Sequence, residues 1–210
     1  MHLPDFGLFL AAAAAIAVSP GPGLFYVAAR TLAGGRTEGL ASSFGTALGG
    51  LVHVAAGAVG VSALVLASAE AFTVLKLAGA IYLVWLGIKT FRESRIAPDA
   101  RIEATGAPRA FREGIVVEAL NPKTAAFFLA FLPQFVDPAV GPVWLQFLLL
   151  GLISVTLNTA ADVVVAVAAS RARSLAVARP SLLRRLRQGA GLAIASLGLA
   201  LVLARRPATL

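Results

Sequence analysis

Residues 40–67 read LASSFGTALGGLVHVAAGAVGVSALVLA, a stretch without a single Asp, Glu, Lys or Arg. A helix needs about 20 mainly apolar residues to cross the hydrocarbon core of a bilayer. This run exceeds that length and lacks the strict alternation of a membrane-barrel strand. It predicts a transmembrane helix. The same test applied outward predicts five more, at 6–29, 70–91, 114–136, 143–170 and 189–204. The last is short, and Arg185 and Arg187 at its flank can snorkel to the interface. The expected fold class is therefore an all-α membrane protein with six transmembrane helices.

Composition supports this. Hydrophobic residues make up 59% of the 210-residue chain and charged residues 13%, whereas a soluble domain carries about a quarter charged residues. So little charge cannot coat a water-soluble globule of this size, and disorder is excluded by the same balance. The chain has no cysteine and two histidines, His2 and His53. Disulfides, thiolate metal sites and cysteine nucleophiles are thereby excluded, and no metal or cofactor is expected. A net charge of +8 would suggest nucleic acid in a soluble protein, but here the positions matter more than the sum. The apolar run Leu8–Val18 is preceded by MHLPDFG, which has no Lys or Arg and contains Asp5. A secretory signal needs a positive n-region, so this segment reads as a retained first span.

The basic residues sort by loop. Loop one holds Arg30 and Arg36; loop three holds Lys89, Arg92, Arg95, Arg101, Arg109 and Arg112; loop five holds Arg171, Arg173, Arg179, Arg184, Arg185 and Arg187. Loops two and four hold none. The positive-inside rule places the odd loops in the cytoplasm and both termini outside. Residues 92–113 read as a cytoplasmic linker between a three-helix half, 1–91, and a second three-helix half, 114–210.

Two spans carry helix breakers in matching places. The first contains Ser19-Pro20-Gly21-Pro22-Gly23 and the fourth Asn121-Pro122-Lys123. Proline cannot donate the helical hydrogen bond, which strands the carbonyls of Ile16, Val18 and Glu118. Stranded backbone survives in a membrane only where protein or a water-filled cavity covers it. With three spans per half, spans one and four run antiparallel. That is the layout of an inverted repeat whose broken helices meet near the midplane. Free N–H groups there suit an anion and free carbonyls a cation, and an amino acid presents both charges.

Ionisable residues inside spans point to function by default. Glu118 and Lys123 flank the second break, as a substrate or proton site or as an ion pair that holds the break. Ser154, Asn158 and Asp162 recur every four residues, with Ser170 beyond them, and form one polar stripe on span five. Asp162 is the candidate proton carrier or ammonium partner. His53 shares a face with Gly45, Gly49 and Gly57, a spacing that permits close helix packing; it reads as a packing residue, with a proton relay as the alternative. Lys76 can snorkel, and Tyr82, Trp85 and Trp144 read as interface or packing aromatics. The small-residue faces suit internal packing and a homo-oligomer equally.

The motifs together resemble a known family. SPGPG at 19–23, GTALGGLVHVAAGAVGVSAL at 45–64, LKLAGAIYLVWLGIKTFR at 75–92 and FREGIVVEALNPKTAAFFLAFLPQFV at 111–136 resemble, in order and spacing, the LysE/RhtB amino-acid exporters. The resemblance covers nearly the whole chain. It implies a multi-pass protein of the bacterial inner membrane that exports amino acids or close derivatives, coupled to the proton gradient. It also implies roles for Pro20, Gly21, Pro22, Gly23, Asn121, Pro122, Lys123 and Asp162.

The expected function is thus amino-acid export by proton antiport, with protons and membrane lipid as further partners, no nucleic acid and no enzymatic activity. Substrate contacts are expected from Ser19, Pro20, Gly21, Pro22, Gly23, Asn121, Pro122, Lys123 and Asn158. Lys123 and helix N-termini would receive the carboxylate. Proton coupling is expected from Asp162, Glu118 and His53. The sparse charge favours a neutral or small cargo. The alternatives are export of another metabolite or ion, an intramembrane enzyme, for which no positioned nucleophile is evident, and a structural subunit.

Overall fold

A computed structural model describes residues 3–67 and 103–171, with isolated positions between 74 and 92 and Leu199. The described residues are helical throughout their ordered elements, without a strand. The expected spans 70–91 and 189–204, Lys76, Tyr82 and the arginine cluster after Arg171 lie wholly or mostly outside them.

Helix α1 (Leu3–Val18) is followed by α2 (Pro22–Ala67), α3 (Ala107–Ala119), α4 (Pro122–Ala126), a π-helical turn (Phe127–Phe131), a 3-10 turn (Leu132–Phe135) and α5 (Val143–Arg171). Helix α2 is interrupted at Gly35, whose φ of 76° and ψ of −167° are non-helical. Glycine takes a positive φ without steric cost. The interruption turns the chain back on itself, because a Cβ at Gly39 would lie 3.0 Å from the Cβ of Thr31. Eight residues of straight helix would separate those positions by about 12 Å. The ten-residue loop expected between the first two spans is contracted to this turn.

The contacts give the directions of the segments. Phe9 stacks edge-on with Phe135, the Lys123 ammonium reaches the Ile16 carbonyl and Tyr26 reaches the Ala110 carbonyl. Residues 3–34 therefore run antiparallel to residues 107–135. The part of α2 after Gly35 runs parallel to α3, with Gly45 against the backbone of Phe111 and Gly49 against Ile115 and Ala119. Those glycines let the two backbones touch. Helix α5 runs the opposite way, from Phe147 beside Gly57 to Ala166 beside Gly39.

The core is apolar and aromatic, built from Phe9, Ala13, Ile16, Val54, Phe127, Phe128, Phe131, Leu132, Phe147 and Leu150. The outside is apolar too. Leu8, Val18, Val59, Leu120, Val140 and Val164 are all exposed, as a lipid-facing surface requires. Two described helices are long and apolar enough to cross a bilayer, within Pro22–Gly60 and Val143–Arg171. The pair Ala107–Ala119 and Pro122–Phe135, bent by 42°, adds a third if it crosses as one.

One end of the bundle is tied by charge. The segment ahead of α3 delivers the Thr105 and Gly106 N–H groups to Glu38 Oε1, at 2.8 and 2.6 Å. Arg30 donates to the Glu103 carbonyl and the Thr105 hydroxyl and pairs with Glu113 at 3.0 Å. Helix α3 has no side-chain cap of its own at Gly106, so the buried Glu38 carboxylate supplies negative charge at that N-terminus from across the fold. The helix starts at Ala107, inside the stretch read as linker, because Pro108 fits the first turn. Glu38→Ala is expected to lower stability by about 1–3 kcal/mol, since it leaves two N–H groups without an acceptor. Glu113→Ala, at a partly exposed carboxylate that accepts from Arg30, Tyr26 and Arg109, should cost less, about 1 kcal/mol. Thermal unfolding in detergent compares the two, and equal losses would contradict this ranking.

Candidate functional site

The site begins with two prolines that end helices. Helix α1 stops at Val18, the Ser19 N–H turns back to the Ile16 carbonyl at 3.1 Å, and helical bonding resumes with Phe25 N–H to Gly21 O at 2.9 Å. Helix α3 stops at Ala119, and the Asn121 N–H turns back to the Glu118 carbonyl at 3.0 Å. Asn121 then caps α4, its Oδ1 accepting from the Lys123 N–H at 3.0 Å, with Pro122 in the first turn. A side-chain oxygen at this position satisfies one of the N–H groups a helix start leaves over. After one turn the backbone widens into the π-helical turn at Phe127–Phe131, a form that occurs mostly as single turns within helices.

The two interruptions lie against each other. A Cβ at Gly21 would sit 3.1 Å from Lys123 Cε, and a Cβ at Gly23 would collide with the Glu118 carboxylate. The glycines of the first interruption therefore make room for the charged residues of the second. Lys123 is buried, and its ammonium donates to Ser19 O at 2.9 Å and Ile16 O at 3.1 Å. Glu118 is also buried. Its carboxylate accepts from Thr124 Oγ1 at 2.6 Å and Asn121 Nδ2 at 2.9 Å, and its backbone carbonyl lies 2.9 Å from His53 Nε2. The ion pair between Glu118 and Lys123 weighed from sequence is absent from the ion pairs of the described residues. The carbonyls of Ile16 and Glu118, expected to be free, are both occupied.

Asp162 is fully buried. Its Oδ2 accepts from Thr46 Oγ1 at 2.8 Å, with Asn158 Nδ2 at 3.5 Å, and its Oδ1 has no hydrogen-bond partner among the described residues. A buried carboxylate oxygen without a partner is costly, and this one is open to a proton or a cationic group. The predicted stripe of Ser154, Asn158 and Asp162 does share one face of α5. Ser170 only closes a bond to the Val167 carbonyl on its own helix.

A small cavity, open on one side, lies among α1, α2, the second interruption and α5. Its polar lining comes from Thr46, Glu118, Thr124, Ser154 and Asn158, its apolar lining from residues such as Ala17, Gly50 and Phe128. Asp162 meets it through Thr46 and Asn158. Pro20, Pro22 and Asn121 shape the interruptions and do not line it. Thr46 and Glu38 escaped the sequence reading. The signal was present in Glu38, Ser42 and Thr46 at four-residue spacing, the same pattern that singled out the stripe on α5. No group of three or more His, Cys, Asp or Glu side chains suited to a metal occurs among the described residues.

The profile of the LysE type translocators matches residues 14–205. A membrane protein of Vibrio cholerae described as uncharacterized is 33% identical over 71% of this chain and 73% of its own length. The homoserine/homoserine lactone efflux protein of Salmonella typhimurium is 32% identical over the same shares. The leucine efflux protein of Klebsiella pneumoniae is 30% identical over 61% of this chain and 62% of its own. No solved structure matches the chain.

Proposed function

We propose that this chain, which belongs to the LysE type translocator family, exports a neutral amino acid or a close derivative from the cytoplasm by proton antiport. Membership makes it a membrane translocator and not an enzyme. Two relatives bear the names of efflux proteins for homoserine or its lactone and for leucine, all compounds without a charged side chain. The cavity suits such a cargo. Among the described residues Glu118 is the one charged side chain in its lining, and much of the remainder is alanine, glycine and phenylalanine.

The observation that carries the reading is a buried carboxylate, Glu118, in the lining of a cavity at the helix interruptions, with a second, Asp162, behind that lining and bonded to Thr46 and Asn158. Charge in the interior of a membrane protein is expensive and marks substrate or proton pathways. In this scheme the cargo ammonium faces Glu118, and the cargo carboxylate takes a hydrogen bond from the side-chain amide of Asn158. Asp162 carries the proton on its open Oδ1 and signals its state through Thr46. The two halves form an inverted pair of three spans each, in the bacterial inner membrane with both termini in the periplasm. They rock about the crossed interruptions to expose the cavity to each side in turn.

The test is efflux of a radiolabelled amino-acid panel from proteoliposomes, with and without an imposed pH gradient. Leucine, homoserine and other neutral amino acids are expected to move and to be accelerated by the gradient, with lysine retained. Retention of every amino acid by folded protein overturns the reading.

A further inference from the structure

We infer that His53 and Lys123 are a matched pair of carbonyl caps that position the two interruptions, and that neither binds the cargo nor carries the transported proton. The inference rests on the export reading for its functional consequence, though its geometric basis is independent of it.

Proline removes the N–H that the carbonyl four residues earlier would have accepted. Pro20 does this to Ile16 and Pro122 does it to Glu118. Each carbonyl gains a side-chain donor from another element. The Lys123 ammonium, sent from the second interruption, takes Ile16 O and also Ser19 O. The His53 ring, sent from α2, takes Glu118 O. Each carbonyl also accepts a backbone N–H, Ile16 O from Ser19 and Glu118 O from Asn121, so the side-chain donor is a second bond that ties each turn to another element. A carbonyl oxygen only accepts, so His53 Nε2 carries a hydrogen. The ring is held in place by stacking on Phe128, with centroids 6.0 Å apart and planes 19° from parallel.

The placement of both side chains argues against contact with cargo. Neither His53 nor Lys123 lines the cavity, whereas Ile16 and Glu118, the residues they cap, both do. The caps stand behind the wall and fix where it lies. Lys123 stretches along Gly21, with its Cε 3.1 Å from where a Cβ there would sit.

Export by full-length variants in proteoliposomes tests the inference, with activity compared across pH. His53→Gln keeps an N–H donor and is expected to retain export within about twofold with an unchanged pH profile; His53→Leu removes the donor and should lower export about tenfold, the equivalent of about 1.4 kcal/mol. A relay predicts the reverse for His53→Gln, namely loss of gradient-driven export, and that result overturns the role for His53. Lys123→Met should weaken inhibition by leucine and by leucinamide equally, because it moves the wall. Selective loss of leucine over leucinamide marks a carboxylate ligand and overturns the role for Lys123. Should the leucine and methionine variants fail to fold, nitrogen NMR of histidine-labelled wild type decides. Hydrogen on Nε2 of His53 supports the cap, and Nε2 without hydrogen overturns it. Failure of the wild type to move any amino acid counts against the export reading alone, since the NMR result is independent of transport.

Discussion

Asp162→Asn is expected to reduce gradient-driven export to the level of empty vesicles while leaving the protein folded. The amide is nearly the same shape as the carboxylate, and its oxygen can still accept from the Thr46 hydroxyl, a bond of 2.8 Å in the native protein. What it loses is the ability to gain and release a proton at Oδ1, the oxygen with no partner among the described residues. The expected signature is therefore specific. Exchange of labelled for unlabelled amino acid across the vesicle membrane continues without a gradient, and the stimulation by an inward proton gradient disappears. Thr46→Val should move in the same direction by a smaller amount, because it removes one bond to the carboxylate and leaves the proton site. Export in Asp162→Asn that still responds to the gradient would take Asp162 out of the mechanism.

Gly23→Ala carries the second large effect. The added methyl lands on the Glu118 carboxylate, which is also bound by Asn121 and Thr124 and cannot retreat without breaking one of them. Overpacking a tight site costs about 1–3 kcal/mol, and here the strain falls on a wall of the cavity. Export is expected to fall at least about tenfold, which corresponds to 1.4 kcal/mol. Gly60→Ala is the control. A Cβ at Gly60 meets nothing within 4 Å among the described residues, and alanine is the better helix former by about 1 kcal/mol, so that variant should export normally. Paired efflux and thermal-unfolding measurements separate a transport defect from a folding defect. Equal behaviour of the two variants would mean that the interruptions do not pack as closely as the structure places them.

These residues also show what the sequence could reveal and what it could not. Position and type of the helix breakers were legible, because proline acts through its own backbone whatever surrounds it. The stripe on α5 was legible because period-four spacing is a property of one helix. The partners of the breakers were not. That Lys123 reaches the carbonyls of Ile16 and Ser19, more than a hundred residues earlier, depends on how two segments cross, and spacing along one chain carries no information about that crossing. The same holds for His53, which shares a face with glycines and so read first as a packing residue; its bond to the Glu118 carbonyl follows from α2 lying parallel to α3. Glu38 was overlooked for a different reason. It sits just outside the apolar run that defines span two, where a carboxylate looks like an ordinary loop charge until the segment at 103–106 arrives to use it. The first loop was overestimated because a single glycine with positive φ can turn a helix back without the extra residues a polar loop would spend.

In the proposed scheme, cargo and proton exchange places through the cavity at the crossed interruptions. Its most direct test runs the machine on cargo alone. Proteoliposomes loaded with leucine or homoserine are diluted into cargo-free buffer, with no pH gradient imposed and a pH-sensitive dye trapped inside. Antiport predicts that outward movement of the amino acid acidifies the lumen in the wild type, and that Asp162→Asn abolishes the acidification. Amino-acid efflux with no change in internal pH contradicts the account.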